Sequence, residues 1–119
     1  MHILMWKINA TNRFTDWYLG LPESEAEDVT TVVELLGRYG PRLPFPYSSA
    51  IASSRHPHMR ELRIQHRGRP LRVLYAFDPG RAAVVLLGGD KTGDERWYDR
   101  NVPEADTLYD DYLDETGQA

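Results

Sequence analysis

SRHPHMRELRIQHRGRPLRVLYAF, residues 54–77, gathers six arginines and three histidines against a single carboxylate, Glu61. Its apolar runs Leu62–His66 and Leu71–Phe77 flank Arg67-Gly68-Arg69-Pro70, the pattern of a β-hairpin rather than of a disordered basic tail. A two-residue loop at Gly68-Arg69 pairs Gln65 with Arg72, Ile64 with Val73 and Leu62 with Tyr75. One face then carries Leu62, Ile64, Val73 and Tyr75, and the other Arg63, Gln65, Arg67 and Arg72. A one-residue slip would mix the two sets, so the sorting supports the register. Arg63 and Arg72 are expected as diagonal neighbours, roughly 7–8 Å apart at Cβ.

Working outward, Asp78-Pro79-Gly80-Arg81 turns the chain into a third strand, Ala82–Leu87, apolar on both faces as a covered strand is. Gly88-Gly89 is expected to end that strand, leaving GGDKTGDERWYDRN as a polar loop. Pro103 opens a last helix with Ala105, Leu108, Tyr109, Tyr112 and Leu113 on one stripe. Upstream, residues 3–8 read as a strand. Thr11 reads as the N-cap of a helix carrying Phe14, Trp17, Tyr18 and Leu21. Pro22 starts a second helix with Val29, Val32, Val33 and Leu36 inward, ended by Gly40-Pro41. Residues 41–58, with four prolines, read as a long irregular connection. The order is β-α-α-β-β-β-α, an α+β fold.

The 119 residues suit one domain, 1–119, with the last few residues disordered. Apolar content of 41% and charged content of 27% describe a globular chain. No apolar run approaches the ~18 residues of a membrane span. The start MHILMWKI lacks a basic region and a cleavage site, so no export signal is expected and a cytoplasmic home fits. The absence of cysteine excludes disulfides, thiolate catalysis and cysteine zinc sites. Charge is uneven: residues 1–40 sum to −3, residues 41–100 to +5 and residues 101–119 to −6. A chain that repels polyanions overall yet concentrates guanidinium in its middle is suited to hold phosphate at one place.

Several elements together resemble the RelE/ParE superfamily of toxins, in its HigB-like, phage-related branch. They are Trp6-x-Ile8-x-x-Thr11-x-x-Phe14-x-x-Trp17-x-x-x-Leu21, then Leu36-x-x-Tyr39-Gly40 and Leu43. The most specific are Ser54-Arg55-His56-Pro57-x-Met59-x-Glu61-Leu62-Arg63 and Arg72-Val73-Leu74-Tyr75-Ala76-Phe77. Leu86-Leu87-x-Gly89-x-Lys91 and Pro103-x-Ala105 complete the series. The resemblance implies a twisted antiparallel sheet with helices packed on one face. It also implies a small endoribonuclease that cuts mRNA in the ribosomal A site. The implied partner is a cognate antitoxin, typically a helix-turn-helix protein, through which operator DNA would be bound. The branch often has two adjacent lysines after the last strand, where this chain has Asp90-Lys91-Thr92.

RNA cleavage without a metal needs the 2′-hydroxyl deprotonated, the phosphate charge stabilised and the 5′-oxygen protonated. Arg63 and Arg72 suit the phosphate, because a guanidinium fork matches two oxygens and stays charged. Lys91 would add a third cation. Glu61 or His56 is the candidate base, and His66 or Tyr98 the candidate acid. Arg55, Arg67 and Arg69 are candidates for RNA binding, and Trp97 and Tyr98 for stacking on a base. Each has a structural rival: Glu61 as an ion-pair partner of Arg63 or Arg72, His56 as a turn residue, His66 as a core histidine, and the turn arginines as solvated charge. Asp90, Asp94, Glu95 and Asp99 are spaced as a solvated turn, so no metal and no cofactor is expected. Competing functions are a ParE-like inhibitor of DNA gyrase and a catalytically silent binding module on the same fold.

Overall fold

In the computed structural model, which describes residues 5–119, the elements follow the expected order, with one short strand added. Strand β1, Lys7–Ala10, overlaps the strand read at 3–8 only at Lys7 and Ile8 and runs two residues further; Ile3 and Leu4 lie outside the described residues. The Thr11 hydroxyl accepts the Phe14 amide at 3.1 Å and donates to the Leu86 carbonyl at 2.5 Å. It therefore caps helix α1, Asn12–Leu19, and pins it to the sheet at once. Helix α2, Glu23–Tyr39, begins with Glu23 and Glu25 at its positive end. It stops at Gly40, whose φ is +56 and where a Cβ would overlap the Trp6 indole.

The Pro-rich connection is less irregular than its sequence suggests. After a 3-10 turn at Gly40–Arg42, Ser48–Ala50 form a three-residue strand, β2, paired with Arg60–Leu62. Strands β3 (Arg60–His66), β4 (Arg69–Phe77) and β5 (Ala82–Asp90) follow, and the sheet order is β1-β5-β4-β3-β2. All neighbours are antiparallel except β1, which runs parallel to β5.

The β3–β4 register differs from the expected one by two residues. Ile64 pairs with Leu71 and Leu62 with Val73, and Arg63 faces Arg72 directly instead of diagonally. The loop is Arg67-Gly68, with φ of +49 and +82. Two consecutive positive φ values give the tight turn whose twist matches the strands. A two-residue shift keeps every side chain on its face, so apolar sorting selects the face without selecting the pairing.

Helix α3, Trp97–Glu115, starts six residues before Pro103, inside the stretch expected to be loop. Strand β5 likewise runs through Gly88 and Gly89. The two facts share a cause: Trp17 packs flat on Gly88 from one side and Trp97 on Gly89 from the other, where a Cβ would lie 2.7 Å from the Trp97 Nε1. The buried indole holds the first turn of α3, and the Asn101 amide closes it on the Trp97 carbonyl at 2.8 Å.

Helices α1 and α2 pack on one face, over Leu62, Ile64, Val73, Tyr75 and Val85. Helix α3 covers the opposite face, over Leu74, Ala76, Val84 and Leu86. The one-sided packing expected therefore holds for the first two helices, and the third departs from it. Both faces of β4 and β5 are thereby dry, and each fully buried aliphatic side chain contributes about 1.5–3 kcal/mol. Near the end of the chain, the Gln118 side chain accepts from the Gly80 amide at 2.9 Å and donates to Asp78 at 3.3 Å. No described helix is long and apolar enough to cross a membrane.

Candidate active site

Glu61, Arg63 and Arg72 share the α3 face of the sheet, beyond the region that the α3 core covers. Two guanidiniums directly opposite on adjacent strands would repel. Glu61, two residues before Arg63, compensates: its Oε2 lies 3.4 Å from Arg63 Nη1 and its Oε1 3.5 Å from Arg72 Nε. The carboxylate also accepts hydrogen bonds from the Ser49 and Tyr98 hydroxyls, each at 2.5 Å. Glu61 and Arg72 are both 4% exposed, whereas the Arg63 side chain is 30% exposed. Arg72 is held by the Leu71 carbonyl at 3.0 Å and Gln65 at 3.4 Å, and its buried Nε makes no hydrogen bond among the described residues.

Two further groups border this cluster. The Lys91 ammonium lies 5.6 Å from the centre of the Tyr98 ring, and its backbone amide donates to the Pro70 carbonyl. The Arg63 guanidinium lies 5.2 Å over the Phe45 ring. Burial, then the bond to Glu61 and its charge, push the Tyr98 hydroxyl above its ordinary pKa, against a smaller opposing pull from Arg72. The phenol thus keeps its proton at neutral pH, bonded to the Glu61 carboxylate, with Arg72 and Lys91 the cations nearby.

The remaining candidates lie elsewhere. His56 Nε2 is 2.8 Å from Asp110, and its ring packs edge-on to Tyr109 at 4.8 Å. Twelve residues of α3 separate Asp110 from Tyr98, about 18 Å at 1.5 Å per residue, so His56 does not reach the Glu61 cluster. Arg55 pairs with the same Asp110 at 2.6 Å, and Ser54 donates to the buried Asp106 one turn earlier on α3. Arg69 pairs with Glu25 and, at 3.0 Å, with Asp90. Arg67 is an exposed turn residue. His66 is buried on the α2 face, 2.6 Å from Asp28, with the sheet between it and the arginines. Trp97 is 4% exposed and packed on Gly89, so its ring has no open face for a base. Ser49 went unnoticed in the sequence because its strand is three residues long and follows three prolines, and Phe45 because it lies in the turn between two of them, leaving no alternation to read.

The α+β sheet thus carries, at one end, two opposed arginines, a carboxylate shared between them and a phenol. Residues 16–110 match the family described as "Phage derived protein Gp49-like (DUF891)". HigB3 of Mycobacterium tuberculosis (strain ATCC 25618 / H37Rv), assigned as a toxin, is 41% identical over 98 residues, covering 82% of this chain and 84% of that protein. HigB2 of the same organism, also assigned as a toxin, is 38% identical over 103 residues, covering 85% of this chain and 51% of that longer protein. In solved structures, the chain aligns with the Mycobacterium tuberculosis RelBE2 toxin–antitoxin complex at a TM-score of 0.54 and 17% identity, over 72% of this chain and 98% of that one. It aligns with a free double arginine-to-alanine variant of the E. coli toxin RelE at 0.55 and 13%, over 76% of this chain and 88% of that one. The chain belongs to the phage-derived Gp49-like family, as a HigB-like toxin with the RelE fold.

Proposed function

We propose that the chain is the toxin of a type II toxin–antitoxin module and acts as a metal-independent endoribonuclease on mRNA. The observation that carries this reading is the meeting of Arg63 and Arg72 on one face with Glu61 and Tyr98 between them. In the step proposed, the 2′-oxygen attacks phosphorus and the bond to the 5′-oxygen breaks, leaving a 2′,3′-cyclic phosphate and a 5′-hydroxyl. Glu61 takes the proton of the 2′-hydroxyl and Tyr98 gives one to the departing 5′-oxygen. Arg63, Arg72 and Lys91 hold the charge that builds on the phosphate oxygens. For RNA to reach Arg72, its phosphate replaces part of the Glu61 ion pair.

An acidic whole with one basic patch implies weak affinity for free RNA. That supports a nuclease working on mRNA in the ribosomal A site, where the ribosome supplies most of the binding. A cognate antitoxin, in this reading a small helix-turn-helix protein, neutralises it and carries the complex to operator DNA. The RelBE2 neighbour, a toxin–antitoxin complex, supports such a partner.

Mapping transcript 5′ ends after induction tests the reading. New ends appear with the natural sequence and disappear with Arg63→Ala. Growth arrest with intact transcripts would overturn it, and arrest with a DNA-damage response would point to the gyrase-inhibiting activity instead.

A further inference from the structure

A groove runs along helix α2, under the segment 43–47, on the α2 side of the sheet, and reaches the sheet edge at Arg63. Its outer part encloses about 590 Å³, lined by Leu35, Arg38, Tyr39, Arg42 and Tyr47. Its inner part, about 320 Å³, shares Tyr47 and is bounded by Val32, Arg63 and Ile64. Two properties distinguish it from an ordinary surface fold. Tyr39 and Tyr47, which line it, are exposed large rings, at 48% and 43%. Neither Arg38 nor Arg42 makes an ion pair among the described residues, and no carboxylate lines the outer part. The one carboxylate of the inner part, Asp28, is engaged by His66.

Open rings interleaved with unpaired guanidiniums are what a flexible polyanion with flat bases requires. Stacking is tolerant of sequence, and the cations follow the backbone. Arg63 is the residue common to both sides of that edge: it lines the inner part of the groove, touches Phe45 and, on the α3 face, bonds Glu61. We propose that this groove is a track for single-stranded RNA. It holds nucleotides flanking the linkage at Arg63 and Arg72, with phosphates on Arg38 and Arg42 and bases on Tyr39 and Tyr47. The proposal rests on the nuclease reading and adds to it a binding site 15 Å long, at roughly ten residues of α2 between Asp28 and Arg38.

The test is fluorescence anisotropy at low salt with 2′-O-methyl oligonucleotides of about four and about twelve residues. They lack the attacking hydroxyl, so binding is read without cleavage. The longer probe binds the natural protein roughly tenfold tighter or more. Arg38→Ala/Arg42→Ala removes most of that advantage and lowers the slope of log affinity against log salt by about 1.4, at ~0.7 per single-strand contact. Tyr39→Ala/Tyr47→Ala removes the advantage and leaves the slope unchanged. Circular dichroism melts confirm that both variants, altered only at exposed side chains, stay folded.

The track is overturned if the natural protein shows no length advantage, or if both double variants keep it. Should they keep it but lose binding to the antitoxin, the groove is a protein seat and the proposal fails. Failure of the nuclease reading shows separately, as intact transcripts after induction of the natural chain.

Discussion

The Tyr98 hydroxyl crosses from helix α3 to donate to Glu61 Oε1 at 2.5 Å, joining residues 37 positions apart. That bond couples the last helix to the arginine pair. It also makes one atom responsible for the second half of the proposed reaction. Tyr98→Phe therefore lowers transcript cleavage about 10²–10⁴-fold. The exposed growth-inhibitory phenotype falls with it, while far-ultraviolet circular dichroism is unchanged. A variant cutting at the natural rate would remove Tyr98 from the chemistry.

Arg72 separates stability from activity. Truncating it as Arg72→Ala leaves Glu61 buried without half of its compensation, and about 3–5 kcal/mol of stability is lost. The double change Arg72→Met/Glu61→Gln removes both charges and restores most of that loss, read as a return of the urea midpoint. Cleavage stays absent in both. Recovery of cleavage in the uncharged pair would show that Arg72 serves packing alone.

Gly89 transmits a packing change to the same centre. A Cβ there meets the Trp97 indole at 2.7–3.2 Å, and Trp97 begins the helix that carries Tyr98. Overpacking of this kind costs about 1–3 kcal/mol. Gly89→Ala is expected to lower the melting temperature and, in addition, to reduce cleavage beyond what the unfolded fraction explains. Gly93→Ala is strained only locally, at φ +65 with open space around it, and serves as the comparison.

Acid pH loosens the other end of α3. Burial pushes the Asp78 carboxyl up, but the Ala82 amide, the Tyr112 hydroxyl, the Gln118 side chain and the Gly80 amide outweigh it and hold the pKa below its ordinary value. A depressed carboxylate contributes stability above the ordinary value near ~4, and that contribution is lost as pH falls through the lower folded value. Asp78→Asn is expected to cost about 1–3 kcal/mol at neutral pH and to flatten the acid limb of a urea-midpoint series. An unchanged acid limb would mean that Asp78 contributes nothing to it.

The two hairpins, the Thr11 cap and the inward stripes of α1 and α2 were readable because each repeats with the period of its element. Pairing was not, since Ile64 opposite Leu71 and Ile64 opposite Val73 satisfy the same alternation. The start of α3 was hidden by Pro103, which reads as a first helical residue, while the cause of the true start, Trp97 on Gly89, is a contact between distant segments. Of the site, Arg63 and Arg72 were legible from face sorting. His56 was not separable from a catalytic base by sequence, because its partner Asp110 lies 54 residues away. Ser49, the second donor to Glu61, carried no signal at all.

The order in which these parts leave a ribosome has a consequence of its own. Both guanidiniums and the carboxylate are made by residue 72, but the phenol sits on a helix whose far end is fastened by Gln118 to the Asp78 turn. In the proposed reaction, a chain ending between residues 72 and 97 would carry the guanidiniums and the carboxylate without the phenol. If the proposed reaction holds, the cleaving centre is complete only once the last helix has been added to the sheet.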